Sequence, residues 1–272
     1  MKLYFSTALS ACILIFSGWA QAEAPIAPLN PPAESSIPNS PKGASILLGK
    51  KLLNQTHDLL PKNVGNGLNC SNCHLQNGTT PNAAPLVGLW GVFPEYRSRD
   101  GKVITLTERI NDCFKRSMNG RPLADDSESM IALLSYIQWL STGVPTGESV
   151  QGRGFGKINQ ALVPNSENGK ILFSQKCASC HGETGAGLKD PAGTYTFPPL
   201  WGKDSFNDGA GMARTYTAAA FIEHNMPLGQ GGTLSDQEAI DIAQFVTHQP
   251  RPVYTKKSGD WPKGDKPKDA RN

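Results

Sequence analysis

Apolar positions in this chain recur with a helical period more often than with a strand period. Residues 44–60 read as an amphipathic helix that stops at Pro61, a residue without a backbone donor to continue it. The stretch "TLTERINDCFKRSM" opens with a capping box, Thr105 with Glu108, and predicts a helix through Cys113. "DDSESMIALLSYIQWLS" and "LSDQEAIDIAQFVTHQ" predict two more. Ser235 and Glu238 form the capping box of the second, and Asp125 with Glu128 is expected to play that part in the first. Alternating β-branched runs are scarce, while glycine (28) and proline (21) are plentiful, so the expected fold is all-α with short helices and many loops.

The predicted elements occur twice in the same order. Each half has a helix containing Gly-Lys, at Gly49-Lys50 and Gly169-Lys170, then CxxCH, then "APLVGLWG" or "FPPLWG", then a closing helix. Two tandem domains of one small helical type are expected, over residues 43–142 and 166–250, joined by a Gly- and Ser-containing linker at 143–165. The Pro- and Ser-rich residues 23–42 read as a disordered leader. The Lys- and Pro-rich residues 251–272 read as a flexible tail that does not pack.

Residues 1–22 carry Lys2, the apolar run "LSACILIFSGWA" and a small-x-small "AQA", the marks of a cleavable secretory signal ending at Ala22–Glu23. A lipidation box around Cys12 is the competing reading, but most of the apolar run follows that cysteine instead of preceding it. A periplasmic location follows, with no stable membrane insertion, since no later stretch has the length of a spanning helix. The net charge of +3 is too mild to argue for nucleic acid.

Removing Cys12 leaves Cys70, Cys73, Cys113, Cys177 and Cys180, an odd count for an oxidising compartment. Cys70/Cys73 with His74 and Cys177/Cys180 with His181 are CxxCH signals for covalent attachment of c-type haem, two in all. A disulfide or a redox-active CxxC leaves the histidine after each pair unexplained. A zinc site needs further Cys or His ligands at matching spacing. Each iron then needs a ligand on its other face. In the second half Met226, in "HNMPLG" and 226 − 181 = 45 residues past the haem histidine, is favoured over His224 and over the outlying Met212. In the first half Cys113 (113 − 74 = 39) and Met118 (118 − 74 = 44) compete. They stand about 140° apart on one helix and cannot both face one iron. Arg109, Cys113 and Ser117 share a face of that helix, and the neighbouring cations favour thiolate at Cys113. Arg97, Lys115, Arg116 and Arg121 read as a solvated basic face.

Two CxxCH motifs, a cysteine in "RDGKVITLTERINDCFKRSMNG" and "NMP" after the second motif resemble the dihaem thiosulfate dehydrogenases over about residues 43–250. The resemblance implies an active-site haem held by His74 and Cys113, with Arg99, Arg109 and Ser117 binding the anionic substrate. It implies a second haem held by His181 and Met226 that passes electrons outward. The implied reaction interconverts thiosulfate and tetrathionate, with a small cytochrome c or an iron–sulfur protein as electron partner. Some relatives carry lysine before the methionine, where this chain has Asn225. Two other functions remain open on the sequence: a dihaem electron carrier, and a haem subunit of a thiosulfate-oxidising carrier-protein system.

Overall fold

The computed structural model describes residues 26–271; the signal-peptide reading of residues 1–22 lies outside the described residues. Ser40 opens α1 (Pro41–Asn54): its hydroxyl accepts from the Gly43 amide, and Pro41 sits where a helix has no donor to lose. The helix expected over 44–60 is thus longer at its start, and it is broken at Gln55 before α2 (Thr56–Leu59). The break has a use, because the Thr56 hydroxyl accepts from the Cys70 amide at 3.0 Å and ties the first CxxCH to this corner. The first motif leads into α3 (Leu75–Gly78), a short turn with Gln76 and Asn77 at positive φ, then α4 (Leu89–Val92), α5 (Leu106–Arg116) and α6 (Glu128–Leu140). The second half repeats the plan with α7 (Ser166–Lys176), α8 (Ala178–His181), α9 (Thr215–Asn225) and α10 (Asp236–Thr247).

The boxes at Thr105–Glu108 and Ser235–Glu238 form as expected. The third differs: Ser127, directly before α6, accepts from the Met130 amide, and Asp125 instead accepts from Asn111 Nδ2 at 3.2 Å. The serine hydroxyl is already at the N-cap, so the carboxylate two residues earlier is left to hold α5.

α1 packs on α6, and α7 and α9 both pack on α10. The repeated Gly-Lys marks where the opening helix crosses the closing one. A Cβ on Gly49 would lie 2.1 Å from the Ala132 carbonyl oxygen, and one on Gly169 would lie 1.9 Å from that of Asp241. Only glycine allows backbones to approach so closely. The first core gathers Leu52, Phe114, Met118, Met130 and Leu133, while Ile46, Leu53, Tyr136 and Leu140 line the other side of α1 and α6. The second gathers Phe173, Ala239, Ile242 and Val246 around Trp201 and Phe245. Phe206, Ala210 and Ala213, from the second half of the sequence, complete the first core.

Strands are minor. β1 (Ile26–Ala27), β2 (Glu95–Arg97), β3 (Lys102–Ile104), β4 (Ser149–Val150), β5 (Leu188–Lys189) and β6 (Tyr195–Phe197) form two-stranded ribbons, β1 parallel with β4, and β2–β3 and β5–β6 antiparallel. Two expectations are corrected here. The leader lies against the body: β1 pairs with β4, Ala27 is buried, and Trp139 Nε1 donates to Ser36 Oγ at 3.1 Å. The tail does so too. Trp261 and Asp260 are buried, Asp269 accepts from the Tyr216 amide at 2.9 Å, and Arg271 donates to the Thr247 carbonyl at 2.7 Å. Asp260 meets the buried Arg99 and Arg116, and Asp269 and Arg271 meet backbone groups, partners that composition alone does not reveal.

Candidate haem and thiolate site

The first CxxCH is a 3-10 turn, Cys70–Asn72, capped reciprocally by Asn69 and Asn72. It projects His74 toward the loop at 82–84, where His74 Nδ1 meets the Ala84 carbonyl at 2.6 Å. That bond places the proton on Nδ1 and leaves the other nitrogen free to act as a ligand. Ala84 adopts φ +47°, an unusual state for a residue with a side chain, and its amide donates to the Gly154 carbonyl at 2.6 Å. The linker therefore clasps the loop that aims the histidine.

The His74 ring also acts electrostatically on Cys113, which α5 carries. One turn earlier on α5, Arg109 Nη1 lies 2.8 Å from the Cys113 sulfur. Burial pushes this thiol up, but the Arg109 charge and the His74 contact outweigh it and hold it down to about 6. In return, the thiolate holds Arg109 above its ordinary value. Three of the attachment cysteines behave in the opposite way: burial pushes Cys70 and Cys177 up to about 11 and Cys73 up to about 12. None of these cysteines is in a disulfide, so the paired sulfurs are available for thioether formation with a porphyrin.

Met118, its rival, is 3% exposed among Leu52, Phe114 and Met130 in the apolar core. Ser117 caps the end of α5, half-buried, and its carbonyl accepts from Asn66 Nδ2 at 2.8 Å. Arg99 is 7% exposed and donates through Nη1 to the Gly209 carbonyl at 2.6 Å, beside Arg116, Asp260 and Trp261. Burial and the Arg116 charge pull its guanidinium down to about 10, which leaves it protonated at neutral pH.

The solvated basic face holds only in part. Arg121 is exposed, but Arg116 is buried and clamps Asp260 through two bonds of 2.7 and 2.9 Å. Arg97 lies 2.6 Å from Asp112, which also takes Lys115 at 2.7 Å. Burial and the Arg109 charge lower the Arg97 pKa, and the Cys113 thiolate acts on it in the other direction. Arg97 belongs to the electrostatics of the thiolate site, a role its spacing from Cys113 did not signal.

In the second half His181 closes α8, and its Nδ1 meets the Pro198 carbonyl at 2.9 Å. Burial keeps this imidazole below its ordinary pKa, the neutral form a metal ligand needs. The carbonyl partners were legible in retrospect. Ala84 and Pro198 each directly precede the Pro-Leu pair of the repeated stretch, Pro85-Leu86 and Pro199-Leu200. Met226 follows the last turn of α9, half-buried and extended. His224 is engaged by Glu223 at 2.6 Å and by the Lys157 carbonyl at 3.3 Å. Met212 packs into the apolar clusters around Ala213 and Tyr216. Asn225 is buried, and its Nδ2 donates to Phe221 O at 3.1 Å and across the halves to Asn82 O at 2.9 Å.

Two cysteine pairs outside any disulfide, each with a histidine whose Nδ1 is held by a carbonyl, fit covalent c-type haem on both turns. Short helices and paired CxxCH turns define a cytochrome with two c-type domains. Residues 59–146 match the family model described as SoxA/TsdA, cytochrome c domain, and residues 164–246 match Cytochrome C oxidase, cbb3-type, subunit III. The thiosulfate dehydrogenase of Psychrobacter arcticus is 53% identical over 240 residues, 88% of this chain and 73% of that protein. That of Allochromatium vinosum is 48% identical over 242 residues, 88% of this chain and 90% of that protein. The structure of the thiosulfate dehydrogenase TsdBA from Marichromatium purpuratum in its as-isolated form superposes with a TM-score of 0.78 at 39% identity. It covers 83% of this chain, which spans 50% of that longer one. The chain belongs to the thiosulfate dehydrogenase family.

Proposed function

We propose that this protein oxidises two thiosulfate dianions to one tetrathionate dianion and two electrons, with the same bonds running in reverse from tetrathionate. The observation that carries the reading is the Arg109 guanidinium 2.8 Å from the Cys113 sulfur, a contact that favours the thiolate. Cys70/Cys73 and Cys177/Cys180 would attach two haems, with His74 and Cys113 as ligands of the first iron and His181 and Met226 of the second. Bound haem supplies a one-electron acceptor at each iron, so a pair matches a two-electron oxidation.

The chain's own residues do the rest. Arg109, Arg99 and Ser117 bind the sulfonate ends and offset the repulsion between two dianions. The Cys113 thiolate bonds to the terminal sulfur of one thiosulfate, giving a Cys–S–S–sulfonate with loss of two electrons. The terminal sulfur of a second thiosulfate then attacks the sulfane sulfur next to the sulfonate group. The S–S bond to Cys113 breaks, the thiolate is restored, and tetrathionate leaves. A small cytochrome c or an iron–sulfur protein would collect the electrons in the periplasm. Among the described residues no helix is long and apolar enough to cross a membrane.

The test is the purified, haem-loaded chain with thiosulfate and an artificial acceptor, tetrathionate being measured as product. Cys113→Ala should abolish turnover while the second haem keeps its spectrum. A variant that turns over at the wild-type rate sinks the thiolate mechanism. A simple electron carrier would form no tetrathionate in this assay.

A further inference from the structure

Arg99 and Arg116 present an electrostatic problem. Each is 7% exposed, and both donate Nη1 to one carbonyl, that of Gly209, at 2.6 and 3.2 Å. Two buried guanidiniums on one oxygen repel each other and separate unless an anion holds them. That anion is Asp260, from the C-terminal segment. It takes both amino groups of Arg116 and lies 3.9 Å from Arg99 Nε. The next residue completes the hold. The Trp261 amide donates to the Arg99 carbonyl at 2.8 Å, and its ring lies 4.7 Å from the Arg99 guanidinium carbon. Tyr254 stacks on Arg116 in the same manner, at 4.4 Å. Trp261 makes these contacts at φ +54°, a state that persists only where the surroundings dictate it.

We propose that the C-terminal strap is part of the substrate site, with Asp260 and Trp261 acting as positioning residues that aim Arg99 at a sulfonate group. The proposal rests on the reading that Arg99 binds substrate. Nη1 is turned toward Gly209 and Nε toward Asp260, so Nη2 is the amino group assigned to the anion. Arg99 is thereby held by the end of the chain, while Arg109 is held by Cys113.

The experiment is steady-state kinetics on full-length holoprotein with intact haem spectra, using Asp260→Asn, Asp260→Glu, Trp261→Leu, Arg99→Gln and the Asp260→Asn/Arg99→Gln double variant. Asp260→Asn should raise the thiosulfate KM about tenfold, equivalent to about 1.4 kcal/mol. Asp260→Glu should recover most of that loss, and Trp261→Leu should raise KM about threefold. In the Arg99→Gln background Asp260→Asn should add less than about twofold, because its effect passes through Arg99. A wild-type KM in Asp260→Asn, with a raised KM in Arg99→Gln, overturns the strap while leaving Arg99 as a substrate ligand. A wild-type KM in Arg99→Gln overturns that reading and the strap with it. A full, multiplicative loss in the double variant also overturns the strap, since Asp260 would then act on stability alone. If Asp260→Asn does not fold, Trp261→Leu decides, and a wild-type KM there overturns the proposal.

Discussion

Replacing Gly169 with alanine tests the helix crossing that shapes the second domain. The added Cβ would meet the Asp241 carbonyl oxygen at 1.9 Å, its carbon at 2.4 Å and the Ile242 nitrogen at 3.1 Å, all backbone atoms that no rotamer change can move. An ordinary contact of about 3.4 Å needs α7 and α10 to part by about 1.5 Å. Overpacking of this kind costs about 1–3 kcal/mol, while the better helix propensity of alanine returns up to about 1 kcal/mol. The shift also loosens Asp241, which holds the Asn165 amide and Asn168 Nδ2 at 2.8 Å each; that adds about 1 kcal/mol. The net loss is about 2 kcal/mol, or about 4–8 °C in Tm for a protein of this size. Circular dichroism melts of the purified holoprotein measure it. At a free helix surface the same change would raise Tm, so the sign decides: a variant melting at or above wild type refutes the crossing. Gly49→Ala should shift Tm in the same direction, through the Ala132 carbonyl at 2.1 Å.

Arg109→Gln removes the cation 2.8 Å from the Cys113 sulfur. Losing a charged hydrogen bond of about 1.5–3 kcal/mol should lower kcat/KM about 10- to 100-fold with the second haem's spectrum unchanged, and a wild-type value removes Arg109 from the site. Asp112 pairs with Lys115 and Arg97; burial pushes its carboxyl up, but these cations outweigh that and hold it below its ordinary pKa. A depressed carboxylate pKa adds stability above the unfolded value that is lost as pH falls through the folded one. Asp112→Asn should therefore be less stable than wild type at pH 7, with the gap closing below about pH 4, as thermal melts across pH will show. A gap independent of pH would mean that the ion pairs contribute nothing.

The elements that speak through local rules were readable in the sequence. Thr105 and Ser235 lie three residues before a glutamate, and both boxes form because each satisfies two amides within one turn. The haem turns and the Arg109–Cys113 face follow from spacing alone, and the structure adds the 2.8 Å approach of Arg109 to the sulfur. What stayed hidden depends on distant partners. Arg116 looks like a surface cation until Asp260, 144 residues later, is placed beside it. Arg97 joins the thiolate site through a ribbon turn, a route that no helical period encodes. The leader and tail have the composition of disordered segments, but Ala27 and Trp261 each bury an apolar side chain against the body. A tryptophan inside the lysine-rich tail was the available clue.

The clasp around residues 82–84 limits how the molecule can be cut. Asn82 and Ala84 donate to Gly152 O and Gly154 O at 2.7 and 2.6 Å, and Asn225 reaches back to Asn82 from the second half. The family match ends at residue 146, before any of these partners. A fragment ending there would carry its haem motif and Cys113, but His74 would hang from an unsupported loop, and Arg99 and Arg116 would lack Asp260. The first domain is thus not a portable module, and grafting this candidate site onto another cytochrome requires the linker, the methionine loop and the C-terminal strap to travel with it.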